Sequence, residues 1–205
     1  WYLDLGAGAV AGALQMPWVR LHALRDYLGM ALRVRAVPGI EVVFNLTPSV
    51  VAQLTAYDEG ATDRALDLTL IPAEELDDGA RDEILRTFFD ADWHRQIFVH
   101  PRYRELFDAR EAGRALSPQE LRDLQMWFNL AWCCHELRTG DVELPGGQTA
   151  SVARLVAKQR DFTLDDVTAL VAEQRKVLRA IVPLYRELAE AGHVELTTTP
   201  YYHPI

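Results

Sequence analysis

The stretch Ile40-Glu41-Val42-Val43-Phe44-Asn45-Leu46 is dense in apolar side chains that favour β structure. Such a run is typical of a strand that is buried on both faces. A helix is predicted on each side of it. The first begins near Pro17 and is stopped by Pro38-Gly39, and the second opens at Thr47-Pro48. The first helix carries apolar residues at a period of about 3.6 residues: Val19, Leu24, Leu28, Ala31 and Val34.

A second strand is predicted at residues 193–198, where apolar and polar side chains alternate. It follows a long amphipathic helix that opens with a capping box at Thr163 and Asp166. Gly192 ends this helix, and Pro183 is expected to kink it. Strands separated by helices imply parallel pairing, because each return crossing places a helix on the sheet. With two clear strands, the sheet is expected to be incomplete within this chain.

The middle of the chain is predicted to be mostly helical. Residues 58–82 are acidic and weakly patterned, which indicates a loop with helical fragments. Helices are expected at 82–90 and 101–112, and a loop at 139–151. A further helix starts at a capping box formed by Ser117 and Glu120. It directs an apolar stripe toward the core: Leu121, Leu124, Trp127, Phe128 and Ala131.

Charge and cysteine content exclude several classes of protein. The chain has 205 residues and a net charge of −9, which argues against nucleic acid as a partner. Cys133 and Cys134 are adjacent, so on a helix they point in different directions. This argues against a mutual disulfide and predicts a reduced, cytoplasmic protein. No apolar run reaches the roughly 18 residues that a membrane span needs. Residues 5–13 are rich in Gly but lack dinucleotide-fingerprint spacing, and they are expected to form a loop.

Two polar residues on the predicted strands are candidates for ligand binding. Glu195 lies on the face opposite Val194 and Leu196, so it points either into a ligand-lined lumen or into water at an edge strand. Asn45 lies near the carboxyl end of its strand, where barrel active sites form. Its amide either holds a sugar hydroxyl or caps the following turn.

The remaining candidates for chemistry have ordinary structural explanations. Trp127 is better explained as core than as a sugar platform, because aromatic side chains dominate cores. His22 on an apolar helix suits a satisfied core histidine. The run Cys133-Cys134-His135 lacks zinc-ligand spacing, so neither a metal nor a cofactor is predicted.

Several stretches together resemble glycoside hydrolase family fifty-seven, the amylase, amylopullulanase and glucanotransferase group. They are residues 16–23 with Asp26-Tyr27, 43–49 (Val-Phe-Asn-Leu-Thr-Pro-Ser), 88–90, 101–103, 121–125, 127–132 (Trp-Phe-Asn-Leu-Ala-Trp), and 192–195 running into 198–205. The resemblance spans nearly the whole chain in consistent order, which makes it more specific than any single stretch.

The resemblance implies an α/β fold: part of an incomplete (β/α)7 barrel, with a helical insertion at about residues 59–162. It also implies retaining cleavage or transfer of α-glucosidic bonds in α-1,4-glucans such as starch, glycogen or maltodextrin. Glu195 matches the Glu of the family's Gly-x-x-Glu region, which favours the lumen. Asn129 and Trp132 match family positions on the inserted helices, which implies a wall of the substrate site.

Two departures from the family pattern shape the functional expectation. No residue matches the family's Glu nucleophile or its Asp acid/base, and the family's His-Gln-Pro region is absent. We therefore expect residues 1–205 to be a fragment of the catalytic barrel that is inactive alone. Specificity for hydrolysis, branching or glucan transfer stays open, as does the oligomeric state. The alternative is a non-catalytic, helix-rich carbohydrate-binding or interaction protein, and the length of the reading frame separates the two.

Overall fold

A computed structural model describes residues 14–201, in which helices predominate. The Gly-rich stretch at 5–13 lies outside the described residues. The α-helices are α1 (Trp18–His22), α2 (Leu28–Ala36), α3 (Pro48–Asp58), α4 (Arg64–Leu70), α5 (Asp78–Thr87), α6 (Pro101–Glu111), α7 (Pro118–Ala131), α8 (His135–Thr139), α9 (Ala153–Lys158) and α10 (Leu164–Glu190). The strands are β1 (Val42–Asn45), β2 (Val142–Leu144), β3 (Gln148–Ala150) and β4 (Val194–Thr197). Two π-helical turns, Ala23–Tyr27 and Trp93–Ile97, and a 3-10 turn, Pro145–Gly147, join them.

The first helix forms as the apolar spacing predicts. α1, the π turn at Ala23–Tyr27 and α2 follow one another without a break. The five residues of the predicted stripe are all buried, with Leu24, Leu28 and Ala31 fully so. The helix ends at Ala36, and Gly39 then turns the chain with a φ of 77°, a conformation that glycine adopts without strain.

β1 and β4 pair in parallel, as predicted, in a register that places Val42 beside Val194 and Asn45 beside Thr197. One face of this sheet packs on helices: Val194 is buried, and the ring of Phe44 meets Tyr185 of α10 edge-on at 5.2 Å between centroids. The prediction that residues 40–46 are buried on both faces is wrong. Val43 on the other face is 60% exposed, because the described residues place a helical layer on one side of the sheet alone.

The described residues do not form a barrel. Between 14 and 201 the parallel sheet has two strands, so the result is a helix-rich α/β structure. The loop predicted at 139–151 contains an antiparallel hairpin of β2 and β3. Strands of three residues give too little alternation to be seen in a sequence. The predicted insertion at 59–162 corresponds to α4–α9 and this hairpin, and its role as an insertion stays a prediction.

Both predicted capping boxes form. Ser117 Oγ accepts from the Glu120 amide at 3.3 Å, and a Glu120 carboxylate oxygen accepts from the Ser117 amide at 2.9 Å. Thr163 and Asp166 make the same reciprocal pair at the start of α10. α10 continues through Pro183 as one element and stops before Gly192, whose φ is 78°.

The acidic segment at residues 58–82 contains helical fragments, as predicted. α4 and α5 begin within it, and an aspartate caps each: Asp63 accepts from the Leu66 amide and Asp77 from the Ala80 amide. α5 therefore starts about four residues before the predicted boundary at residue 82. Aspartate is a favoured N-cap, but in a stretch with many acidic residues the two capping ones cannot be distinguished by composition.

Candidate functional site

The exposed face of the parallel sheet carries two of the four predicted site residues. Because side chains alternate along a strand, the register sets Val43, Asn45, Glu195 and Thr197 on one side, and all four are exposed. The Asn45 amide donates to Thr197 Oγ1 across the strands at 3.4 Å. This bond runs to the neighbouring strand, not to the backbone of the following turn. A carboxylate and an amide on one face can together accept from and donate to sugar hydroxyls.

Trp132, the third predicted residue, is 6% exposed and lies in a ring cluster. Its ring centroid is 5.9 Å from that of Trp18 and 5.2 Å from that of His22. The Arg25 guanidinium carbon lies 5.3 Å from the Trp132 ring, a cation–π distance. The buried indole Nε1–H has no hydrogen-bond partner between residues 14 and 201.

Asn129, the fourth, is fully buried, and protein groups hold both ends of its amide. Its Oδ1 accepts from Arg20 Nη1 at 2.7 Å, and its Nδ2 donates to Thr69 Oγ1 and to the Gln125 carbonyl, both at 2.9 Å. Gln174 also accepts from Arg20 Nη1, at 3.0 Å. Asn129 is thus suited to positioning its neighbours.

Behind Asn129 lies a fully buried ion pair. Arg20 Nε donates to one carboxylate oxygen of Asp63 at 2.6 Å, and Arg20 Nη2 donates to the other at 3.2 Å. The Tyr57 hydroxyl and the Leu66 amide each donate to Asp63 at 2.8 Å. Burial acts to raise the pKa of Asp63, but the Arg20 charge and these hydrogen bonds outweigh it and hold that pKa below its usual value.

The four predicted site residues therefore fall into two pairs. Asn45 and Glu195 share the sheet, whereas Asn129 and Trp132 meet the helix that begins at Trp18. Sequence analysis missed the buried pair of Arg20 and Asp63 that supports the second pair. The available signal was the position of Arg20 inside the apolar run 18–21, where an unpaired charge would be costly to bury.

Neither cysteine is poised to act as a nucleophile, and the described part of the chain holds no cluster of metal-binding side chains. Cys133 and Cys134 are free and buried, and burial raises the pKa of Cys133 to about 12 and that of Cys134 to about 11. Both are therefore protonated near neutral pH, and the thiolate is the nucleophilic form. No three His, Cys, Asp or Glu side chains within residues 14–201 are grouped to hold a metal ion. No described helix is both long and apolar enough to cross a membrane.

Comparison with known proteins identifies the family of this chain. No curated protein and no solved structure matches this chain. The family model described as glycosyl hydrolase family 57 does match, over residues 3–205. That range includes both parallel strands, the capped helices and all four predicted site residues. The chain belongs to glycosyl hydrolase family 57.

Proposed function

We propose that this chain supplies part of the substrate-binding surface of an enzyme that hydrolyses or transfers α-1,4-glucosidic bonds with retention. Members of the family act on glucans, and an α-glucan or malto-oligosaccharide is the proposed ligand. The observation that carries the proposal is the exposed polar face of β1 and β4. There Glu195, the match to the family's Gly-x-x-Glu, lies on the same side of the sheet as Asn45 and Thr197.

The sheet itself supports a place within a larger barrel. Val43 is 60% exposed and Leu196 is 41% exposed, one on each face of a sheet that has two strands within residues 14–201. A two-stranded sheet gains little stability alone and exposes unpaired backbone groups along its edges. Further strands of a (β/α)7 barrel would pair with these edges and enclose the polar face. Residues 1–205 are then a fragment of the catalytic domain, with the insertion at 59–162 beside the site.

The proposed roles are binding and positioning. Glu195 and Asn45 hydrogen-bond sugar hydroxyls, the Trp132 indole forms part of the site wall, and Asn129 fixes the helix that carries Trp18 through Arg20. Retaining glycosidases use two carboxyl groups about 5–5.5 Å apart. No residue of this chain matches either of them, so the chain is proposed to be inactive alone. No cofactor is required, and the proposed location is the cytoplasm.

Steady-state kinetics of the protein made from the whole reading frame test the role of Glu195. Glu195→Gln keeps the side-chain shape and removes the charge, so we expect kcat/KM on a short malto-oligosaccharide to fall about 10²-fold, the scale of a lost positioning contact. The melting temperature should not change. Glu41→Gln is the matched control, since it removes an exposed charge just before β1, and it should leave kcat/KM within about twofold. Unchanged kinetics in Glu195→Gln would remove Glu195 from the site.

The non-catalytic alternative is favoured by the missing match to the carboxylate pair. A reading frame confined to these 205 residues, with malto-oligosaccharide binding and no turnover, would support it. An activity assay of the purified chain tests both the enzyme proposal and the non-catalytic alternative. Release of reducing sugar from soluble starch, above that of a Glu195→Ala variant, would contradict the absence of the catalytic pair.

A further inference from the structure

A cleft of about 300 Å³ opens on the helical side of the molecule. Its walls come from the π turn Ala23–Tyr27 with α2, from the π turn Trp93–Ile97, and from the segment 131–138. This volume is at the lower limit of small-molecule sites. None of its lining residues belongs to β1 or β4, so the inference does not rest on the proposed function.

The charge of the cleft is opposite to that of the chain. The whole chain has a net charge of −9, yet the cleft is lined by four arginines and one acidic residue. The arginines are Arg25, Arg33, Arg95 and Arg138, and the acid is Asp26. Asp26 is engaged by His22, whose Nδ1 lies 2.5 Å from its carboxylate, and this hydrogen bond lowers the pKa of Asp26. Arg25 Nε lies 3.6 Å from the other carboxylate oxygen, so Asp26 partly compensates Arg25.

Arg25 is held in place by a buried glutamine. Arg25 Nη1 donates to Gln96 Oε1 at 2.9 Å, and Gln96 is 4% exposed. Gln96 is itself fixed, since its Nε2 donates to the Ala131 carbonyl at 3.1 Å and its Oε1 also accepts from the Asp92 amide at 3.0 Å. The guanidinium therefore needs no reordering to meet a ligand, which lowers the cost of binding.

Two of the arginines make no close ion pair within the described chain. Arg138 Nη1 lies 2.8 Å from His100 Nε2, and its Nε is buried without a hydrogen-bond partner in the described chain. Burial, then the Arg138 charge, lowers the pKa of His100 to about 4, so His100 accepts as a neutral ring. Within residues 14–201, the exposed Arg95 side chain makes no ion pair within 4.0 Å, although its charge interacts with that of Asp92. The charge of Arg33 is partly compensated by Glu136, because Arg33 Nε lies 3.9 Å from Glu136 Oε1.

The backbone around the cleft is also unusual. Arg25 and Arg95 each lie on a π-helical turn, a feature that is rare in helices and frequent at functional sites. Gly29 brings α2 close to the opposite wall, because a Cβ at this position would lie 3.3 Å from the Cys134 Cβ. The Cys134 amide in turn donates to the Leu24 carbonyl at 3.0 Å. The close approach at Gly29 and this hydrogen bond thus hold the segment 131–138 against the wall that contains α2.

We infer that this cleft binds a phosphoryl group, either as free phosphate or as the phosphate of a small phosphorylated sugar. Guanidinium groups recognise phosphate oxygens through paired N–H donors. A carboxylate offers two acceptor oxygens and one negative charge. A terminal phosphoryl group offers three acceptor oxygens and up to two negative charges. It can therefore accept from arginines on three separate walls of the cleft. The volume of about 300 Å³ favours a small ligand over an extended polyanion.

Titration calorimetry at constant ionic strength, with inorganic phosphate and with glucose 6-phosphate as separate probes, tests the inference. We expect a Kd in the millimolar range or below for at least one probe. Arg95→Gln should weaken binding at least about tenfold, because it removes a guanidinium that can donate to a phosphoryl oxygen and breaks no close ion pair within residues 14–201. Arg138→Gln should do the same. The matched control is Arg175→Gln, an exposed arginine on α10 outside the cleft, which should leave Kd unchanged.

The two probes distinguish the sources of the phosphoryl group. Equal affinity indicates that free phosphate suffices, and an affinity for glucose 6-phosphate at least about tenfold higher indicates a sugar phosphate. Thermal melting of every variant confirms that the fold is retained. Absence of binding by both probes at millimolar concentration would overturn the inference, as would equal weakening by Arg175→Gln and Arg95→Gln.

Discussion

Polar side chains have different environments in the helical body, formed by α1–α10, and in the parallel sheet of β1 and β4. In the body, Arg20 and Asp63 are both fully buried and bonded to each other through two contacts. In the sheet, Asn45 and Thr197 share one long hydrogen bond of 3.4 Å and remain exposed. The buried pair of Arg20 and Asp63 has its polar contacts within the described chain, whereas the sheet leaves its polar groups facing outward. Structural polar groups and candidate ligand-binding groups can be separated on this basis.

Removing one partner of the buried ion pair should produce the largest effect. Asp63→Ala leaves the Arg20 charge buried without its counterion and also removes the cap of α4. We expect a loss of about 3–5 kcal/mol in the free energy of unfolding, the usual cost of breaking a buried pair. Urea denaturation followed by circular dichroism measures it.

Asp58→Ala is the matched control for this change. Asp58 pairs with Arg179 at 2.5 Å, but both side chains are more than half exposed. Exposed pairs contribute about 0–1 kcal/mol, so the control should be close to the unchanged protein. Equal losses in the two variants would contradict the assignment of the loss to the burial of the Arg20–Asp63 pair.

How far the sequence predicts this fold depends on the range over which each signal acts. The capping boxes at Ser117 and Thr163 were predicted because a cap and its partner are three residues apart. The pairing of β1 with β4 was also predicted, since the helices between them dictate a parallel arrangement. The burial of Arg20 was missed because Asp63 lies 43 residues away, and no local pattern connects them.

The second prediction concerns acid stability of the body. His100 stacks on Trp127 at 4.7 Å between ring centroids, and burial, then the Arg138 charge, lowers its pKa from 6.5 to about 4. Between these two values the unfolded chain binds a proton that the folded chain does not. The free energy of unfolding should therefore fall as pH decreases from 6.5 toward 4, by at most about 1.4 kcal/mol per pH unit, the limit for one proton.

His100→Gln should flatten this pH dependence, because the Gln side-chain carbonyl can accept from Arg138 but does not titrate. Urea denaturation at a series of pH values measures the slope. His135→Gln, at an exposed position on α8, should keep the original slope. A slope that survives in His100→Gln would assign the acid sensitivity to another group.

For the candidate site, the sequence predicted the exposed face of the sheet but not the environment of each residue. Alternation placed Glu195 opposite Val194 correctly, because the period of two is local. The full burial of Asn129 and the ring cluster around Trp132 depend on how α7 meets the helix that begins at Trp18. That packing joins residues more than 100 positions apart, and neither propensity nor spacing specifies it.

The smallest effects are expected in the sheet, where stability and function should separate. Glu195 is exposed and Asn45 has a single long hydrogen bond to Thr197, so neither side chain loses a buried partner on substitution. Glu195→Gln and Asn45→Ala should each change the free energy of unfolding of this chain by less than about 0.5 kcal/mol, the usual range for surface positions. Urea denaturation beside Asp63→Ala gives the comparison within one experiment. If either sheet variant instead loses more than about 1 kcal/mol, its side chain stabilises the fold, and a fall in kcat/KM could no longer be assigned to sugar binding. If both variants remain stable, a fall in kcat/KM of Glu195→Gln can be assigned to a lost contact with the sugar.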